Sequence, residues 1–269
     1  MTSTTRRRRL PLFRLDGTIT RRAYLVCAIA TFVVLGVVWF AVTASGLVKP
    51  IFLPNPVDVV LRLLEQARNG QLWSDIGISV LRILSAFLVA AVVAVPLGLL
   101  MGRIRLFEAL LVPLTEFIRY MPVVAFTPLT VVWFGVDEAQ KLVLIFLGTF
   151  FALLLMVMDD VQRVPREYVE SSRTFGMPEH RILQRVVFRA AMPSIWDSFR
   201  LALGWCWSWL VLGELVAATS GLGYRITLGQ RYLDTSLIIG YILVLGLLGL
   251  TTDQALRLSK RTLFGYLKK

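Results

Sequence analysis

Glu116 and Arg119 stand three residues apart in an apolar run, EFIRYMPVVAFTP, with Pro122 and Pro128 close behind. At that spacing the two side chains share one face of a helix and can pair. Each proline removes a backbone donor and disturbs the helix before it. Charges inside apolar runs face a bundle interior or a water-filled path. Broken helices at membrane depth line cavities or are enclosed by protein. Two readings therefore stand side by side. Glu116, Arg119 and Pro122 line a translocation path or gate, or the charges form a structural pair that locks a kinked bundle. Arg82 and Glu214, each alone in its own apolar run, carry the same two readings.

Other chemistry is sparse. His180 is the only histidine, and Cys27 and Cys206 lie far apart inside apolar runs. One histidine cannot build a histidine-based metal site, and no CxxC spacing exists, so no metal, cofactor or disulfide framework is expected. Neither HExxH nor a GxxxxGK[ST] phosphate loop is present. ATP hydrolysis of the usual kind would need another subunit.

The elements that must position these residues are membrane helices. Of the 269 residues, 57% are hydrophobic, and the mean hydropathy is +0.71. A soluble domain holds about 45–50% apolar residues. Six segments approach the roughly 20 apolar residues that cross a bilayer: about Tyr24–Ala44, Ile76–Met101, Leu110–Phe134, Lys141–Met158, Ile195–Thr219 and Thr235–Leu256. The expected fold is all-α, a polytopic membrane protein of about six transmembrane helices.

The net charge of +12 is distributed by topology. With Arg6–Arg9 placed in the cytoplasm, the cytoplasmic segments hold 21 Lys and Arg, and the external ones hold 6. That bias follows the positive-inside rule and places both termini in the cytoplasm. No soluble basic module remains for nucleic acid. The expected divisions are a basic segment 1–23, a first span 24–45, an external loop 46–75, a five-span core 76–258 and a basic tail 259–269. In the external loop Val57, Val60, Leu61 and Leu64 recur at helical spacing, a short amphipathic helix at the membrane surface.

One stretch interrupts the apolar pattern. Residues 159–192, on the cytoplasmic side, include ESSRTFGMPEHRILQRVVFRAAMP. A helical run from Glu167 is expected to end at Gly176, where a left-handed turn suits glycine. A second helix follows Pro178 and runs to Pro193. Such an elbow can dock in a groove on a partner and carry motion into the bundle. It can equally be a basic loop lying on lipid.

The stretch resembles the cytoplasmic signature of ABC importer permeases, EAA, three residues, Gly, nine residues, then an apolar position. Here it reads Glu170, Ser171, Ser172, Gly176 and Val186. Both family alanines are serines, and the family's first proline falls at Arg189. The later Ala190, Ala191, Met192 and Pro193 match. FLPNPVDVVLRLL, SVLRILSAFLVAAVVAVPLGLLMG, EFIRYMPVVAFTPLTVVWFGVDEAQK and WLVLGELVAATSGLGYRI are similar to permeases of the nitrate, sulfonate, taurine and bicarbonate group.

The resemblance implies a type I importer permease in a bacterial inner membrane that is not itself an enzyme. It implies ATP and Mg held by cytoplasmic ATPase subunits, a second permease copy as homodimer, and a periplasmic or lipid-anchored binding protein. The implied coupling residues are Glu170, Ser171, Ser172, Phe175, Gly176 and Met177. The implied cargo is a small, anionic solute such as a sulfonate, taurine or nitrate. An ATPase-independent carrier or channel is the alternative; carriers often show inverted repeats, and none is evident. A membrane-embedded enzyme would need a nucleophile and base, or clustered metal ligands.

Overall fold

A computed structural model describes residues 19–265. Of the cations counted in the charge bias, Arg6–Arg9, Arg14, Lys268 and Lys269 lie outside the described residues. The architecture is helical, with no strand among the described residues. Five helices are long and apolar enough to cross a membrane, and a bent pair makes a sixth if counted as one span.

The chain divides into two compact units between Val59 and Val60. In the first, α1 (Arg21–Ala44) starts at an N-cap where the Thr20 hydroxyl accepts from the Ala23 amide. It is apolar all round and largely exposed, as suits a helix facing hydrocarbon. The Trp39 indole donates to the Pro54 carbonyl at 3.0 Å and ties the following loop back to it.

α2 (Pro56–Arg68) is the expected amphipathic helix. Val57, Val60, Leu61 and Leu64 are left exposed. Leu63 and Ala67, themselves part of the second unit, pack into its core.

That second unit is built on α3 (Gln71–Arg103), α6 (Glu138–Gln162) and α9 (Phe188–Ala217), with α11 (Thr235–Leu263) alongside. α3 carries Ala86, Ala90, Ala94, Gly98 and Gly102, one small residue every fourth position, and Gly98 and Gly102 press on Val157 and Val161 of α6. A Cβ on Gly98 would stand 2.6 Å from Cγ1 of Val157. Such close approach of small residues is how membrane helices gain packing contact, since burial from lipid offers little. Around this seam Leu153, Leu154, Val157 and Ile195 are fully enclosed. Nearer the opposite end, Ile83, Cys206, Leu210, Leu222 and Tyr241 close a second cluster.

Two expectations change. The third span is not one helix. α4 (Arg105–Arg119) ends at Tyr120. A 3₁₀ turn (Val123–Phe126) and α5 (Thr127–Phe134) leave at 87° to it. Pro122 sits at that break, where it cannot continue the helix. Pro128 stands in the first turn of α5, where a missing donor costs nothing.

The second elbow helix does not stop at Pro193. A short helical turn α8 (Glu179–Arg181) passes through π-helical residues Ile182–Val187 into α9, which continues through Pro193. Proline is tolerated inside membrane helices where local π adjustment and neighbouring helices satisfy freed backbone groups.

Candidate functional site

Two polar constellations stand at opposite ends of the bundle. The first is assembled on α3, where Asp75, Ser79 and Arg82 lie at i, i+4 and i+7 and so share one face. Arg82, only 2% exposed, donates to Glu214 of α9 at 2.6 Å and to Glu138 at the start of α6 at 2.6 Å. It also donates to the Ser220 carbonyl at 2.8 Å. Glu214 accepts further from the Ser79 hydroxyl at 2.7 Å and from the Gly223 amide at 2.7 Å.

Asp75 accepts from the Gly221 amide, from Arg225 of α10 (Leu222–Arg231) at 2.7 Å and from the Tyr241 hydroxyl at 3.2 Å. This network fastens the loop after α9 and the start of α10 onto α3. Each buried charge has an opposite partner and its remaining lone pairs are used, which is what enclosure of charge requires. Arg82 and Glu214 are therefore a single paired unit, sealed by protein.

Asp75, Ser79, Glu138, Arg225 and Tyr241 belong to it and were not anticipated from the sequence. The i, i+4, i+7 polar face of α3 was the legible signal.

The broken third span behaves differently. Glu116 and Arg119 are both exposed, and no ion pair joins them among the described residues. The helix ends at Arg119, whose guanidinium lies 5.1 Å from the Tyr120 ring centroid and 3.5 Å from its hydroxyl. Pro122 and Arg119 line a cavity of about 370 Å³ between the break, α6 and α9. Glu116 does not line it.

The second constellation is the elbow. α7 (Arg166–Thr174) buries no residue completely. Its C-terminus closes with two bonds, Met177 amide to Ser172 carbonyl at 3.1 Å and Gly176 amide to Arg173 carbonyl at 2.8 Å. That pairing is a Schellman motif, which needs a left-handed residue, and Gly176 has φ +71°. Arg173 then reaches across the turn to Glu179 with two hydrogen bonds, 2.6 and 3.0 Å. The Glu179 carboxylate raises the Arg173 guanidinium above its ordinary pKa.

Val169 and Met177 turn inward onto the bundle core. Glu170, Ser171 and Gly176 face outward, and Phe175 is 86% exposed. Ser172 is half-buried, its hydroxyl donating to the Tyr168 carbonyl at 2.7 Å. The elbow is anchored where Arg103, the last residue of α3, donates to the Val164 carbonyl at 2.7 Å. Beside it opens a cleft of about 1070 Å³ whose walls carry Arg103, Arg105, Glu108, Glu170, Arg173 and Glu179. Among the described residues no cluster of three or more His, Cys, Asp or Glu could hold a metal ion.

Comparison with known proteins fits this arrangement. Residues 94–264 match the family model "Binding-protein-dependent transport system inner membrane component". A probable ABC transporter permease protein of Brucella melitensis is 38% identical over 225 residues, covering 84% of this chain and 90% of its own. The taurine transport system permease protein TauC of Escherichia coli is 32% identical over 241 residues, covering 88% of each. In fold, the chain is similar to the inward-facing MetNI methionine ABC transporter, with TM-score 0.64 at 19% identity over 73% of this chain and 98% of that one.

The helical bundle, its seam of small residues and its outward elbow are thus those of a permease, and the chain belongs to the family of binding-protein-dependent inner-membrane components of ABC importers.

Proposed function

We propose that this permease works as one of two identical copies, energised by separate cytoplasmic ATPase subunits that grip the elbow. The observation that carries this is the elbow itself. A Schellman turn, a bidentate Arg173–Glu179 bridge and an anchored base hold a projection whose turn carries an exposed phenylalanine. A rigid amphipathic helix with an apolar anchor suits docking into a partner's groove. A surface loop with no partner would gain nothing from so exposed an aromatic ring. The anchor at Arg103 and the continuous path through the π segment into α9 give a push on the elbow a direct route to the bundle.

The elbow end faces the cytoplasm in this reading, and both termini lie on that side. The charge asymmetry supports it. A cysteine placed at Asn69 should label from outside intact cells, whereas one at Glu179 should not.

The cargo is a small anion brought by an external binding protein. Relatives are named for taurine, aliphatic sulfonates and bicarbonate, each carrying a compact anionic group. No cofactor is assigned to the permease; ATP and Mg belong to the ATPase subunits.

The test is Gly176→Val. A Cβ there meets nothing within 4 Å, so the folded permease itself has room for it. The left-handed backbone is strained by a β-branched residue, and the turn must re-form. The variant should insert normally yet lose the ATPase on purification or uncouple hydrolysis from uptake. Normal retention and normal coupling would reduce the elbow to a passive loop.

A further inference from the structure

The cleft beside the elbow has positive charge left over. Its walls come from the joint between α3 and α4, from the end of α6, and from α7 and α8. Three carboxylates line it, and each is engaged. Glu108 accepts from the Gln162 side-chain amide at 3.1 Å. Glu179 takes both hydrogen bonds of Arg173. Glu170 acts on Arg173 as well, through its charge.

The other arginines are not matched in this way. Arg103, Arg105 and Arg166 line the same cleft, and none of them has an ion pair among the described residues. Arg103 spends Nη2 on the Val164 carbonyl, while its enclosed Nε has no partner. The charge that acts on Arg103 is that of Arg166, and it repels. The fold itself brings the three together. Arg103 ends α3, Arg105 starts α4 and Arg166 starts α7. Cations gathered without a counter-ion cost free energy until a negative group joins them.

Guanidinium groups suit one such group especially well, since their planar forks match the oxygens of a phosphate two at a time. Leu100, Ile104 and Leu183 share the cleft, so it has apolar wall for a carbon body attached to that phosphate. It also lies where two membrane-crossing helices, α3 and α6, come to their ends. Basic pockets between membrane helices at that level bind anionic lipid headgroups.

We propose that this cleft binds a phosphate group, held by Arg105 and Arg166 with Arg103 adding to the positive field. The group comes from the headgroup of an anionic phospholipid or from a free phosphate, and the chemistry is the same for both. Bound there, it ties the α3–α4 joint to the base of the elbow and offsets the repulsion between Arg103 and Arg166. The site is separate from the cargo and from the outward face of the elbow.

The experiment uses the purified full-length chain without the ATPase, so its outcome is independent of what the elbow docks against. One arm places the chain in nanodiscs of phosphatidylcholine, whose choline cancels the headgroup charge. Inorganic phosphate and glycerol phosphate are titrated in at constant ionic strength while the melting temperature is read. The other arm uses nanodiscs containing phosphatidylglycerol, and native mass spectrometry counts the phosphatidylglycerol that stays on each chain after extraction. The parent should show a saturable rise in melting temperature, a retained phosphatidylglycerol, or both. A response to free phosphate alone supports a soluble source, and retention of lipid alone supports a headgroup.

The double variant Arg105→Gln with Arg166→Gln should weaken binding at least about tenfold, as expected for lost hydrogen bonds to a charged group. Both side chains are exposed, so the variant keeps its fold. Lysine at the same two positions should recover part of the loss, because it restores charge without the fork. Binding that the glutamine variant keeps in full, or no binding in either arm, would overturn the site. In the second case, loss of co-purified ATPase in the double variant would assign these arginines to the partner instead.

Discussion

The two ends of the bundle solve the same problem in opposite ways. At one end, charges are enclosed. Arg82 and Glu214, at 2% and 0% side-chain exposure, complete each other, and every neighbouring donor has found an acceptor. At the other end, Arg173 and Glu179 make an equally short pair at 55% and 69% exposure, and an aromatic ring stands in the open beside it. A buried, self-satisfied network has little left to offer a partner. A rigid exposed one has both apolar area and unspent hydrogen-bond capacity. In the proposed function the first end therefore serves stability and the second serves communication with the ATPase.

The sharpest way to break that assignment is Glu214→Leu. Removing one member of a buried pair leaves Arg82 with the partly exposed Glu138 as its only carboxylate, and such losses cost about 3–5 kcal/mol. Folded permease in the membrane should fall severely. Adding Arg82→Met should restore much of it, because a well-packed apolar pair can replace a buried ion pair. Thermal unfolding of the detergent-solubilised protein reads both. If the single change leaves stability intact while uptake disappears, the network belongs to the path instead.

Next in size is Gly176→Val, for which the left-handed backbone costs about 1–2 kcal/mol. Most of its effect should appear in partner retention rather than in the melting temperature. Tyr241→Phe is milder still. It deletes one hydrogen bond to Asp75, which keeps Arg225 and the Gly221 amide, so the loss should be about 1 kcal/mol. A much larger drop would mean that the network tolerates no partial loss.

Smallest of all is Arg173→Gln. The pair is fully solvated, and exposed ion pairs add little stability. Its melting temperature should stay within error of the parent.

Much of this was legible in sequence, for identifiable reasons. Apolar length located the spans, because a helix that crosses hydrocarbon must be long and uncharged. Gly176 was legible because glycine alone takes the left-handed turn at a helix end without strain, and it adopts φ +71°.

Proline misled twice, in opposite senses. Pro193 reads as a stop and is passed over, since proline is tolerated inside a membrane helix that packs against neighbouring helices. Pro122 reads as a kink within one span and instead marks an 87° turn between two helices.

Pairing was the harder inference. Glu116 and Arg119 have suitable spacing but stay apart, because the helix ends at Arg119 and its guanidinium settles over Tyr120. Arg82 and Glu214 are 132 residues apart, and only the tertiary fold brings them together.

The docking role of the elbow stands or falls with Phe175→Ala. Its ring is 86% exposed, so removing it should leave the folded amount and melting temperature unchanged. The measurement is the amount of ATPase that co-purifies with the variant permease, beside its uptake-coupled ATP hydrolysis. The expected result is a folded, inserted permease that retains several-fold less ATPase than the parent. Full retention with normal coupling would contradict the assignment of the elbow as the docking element.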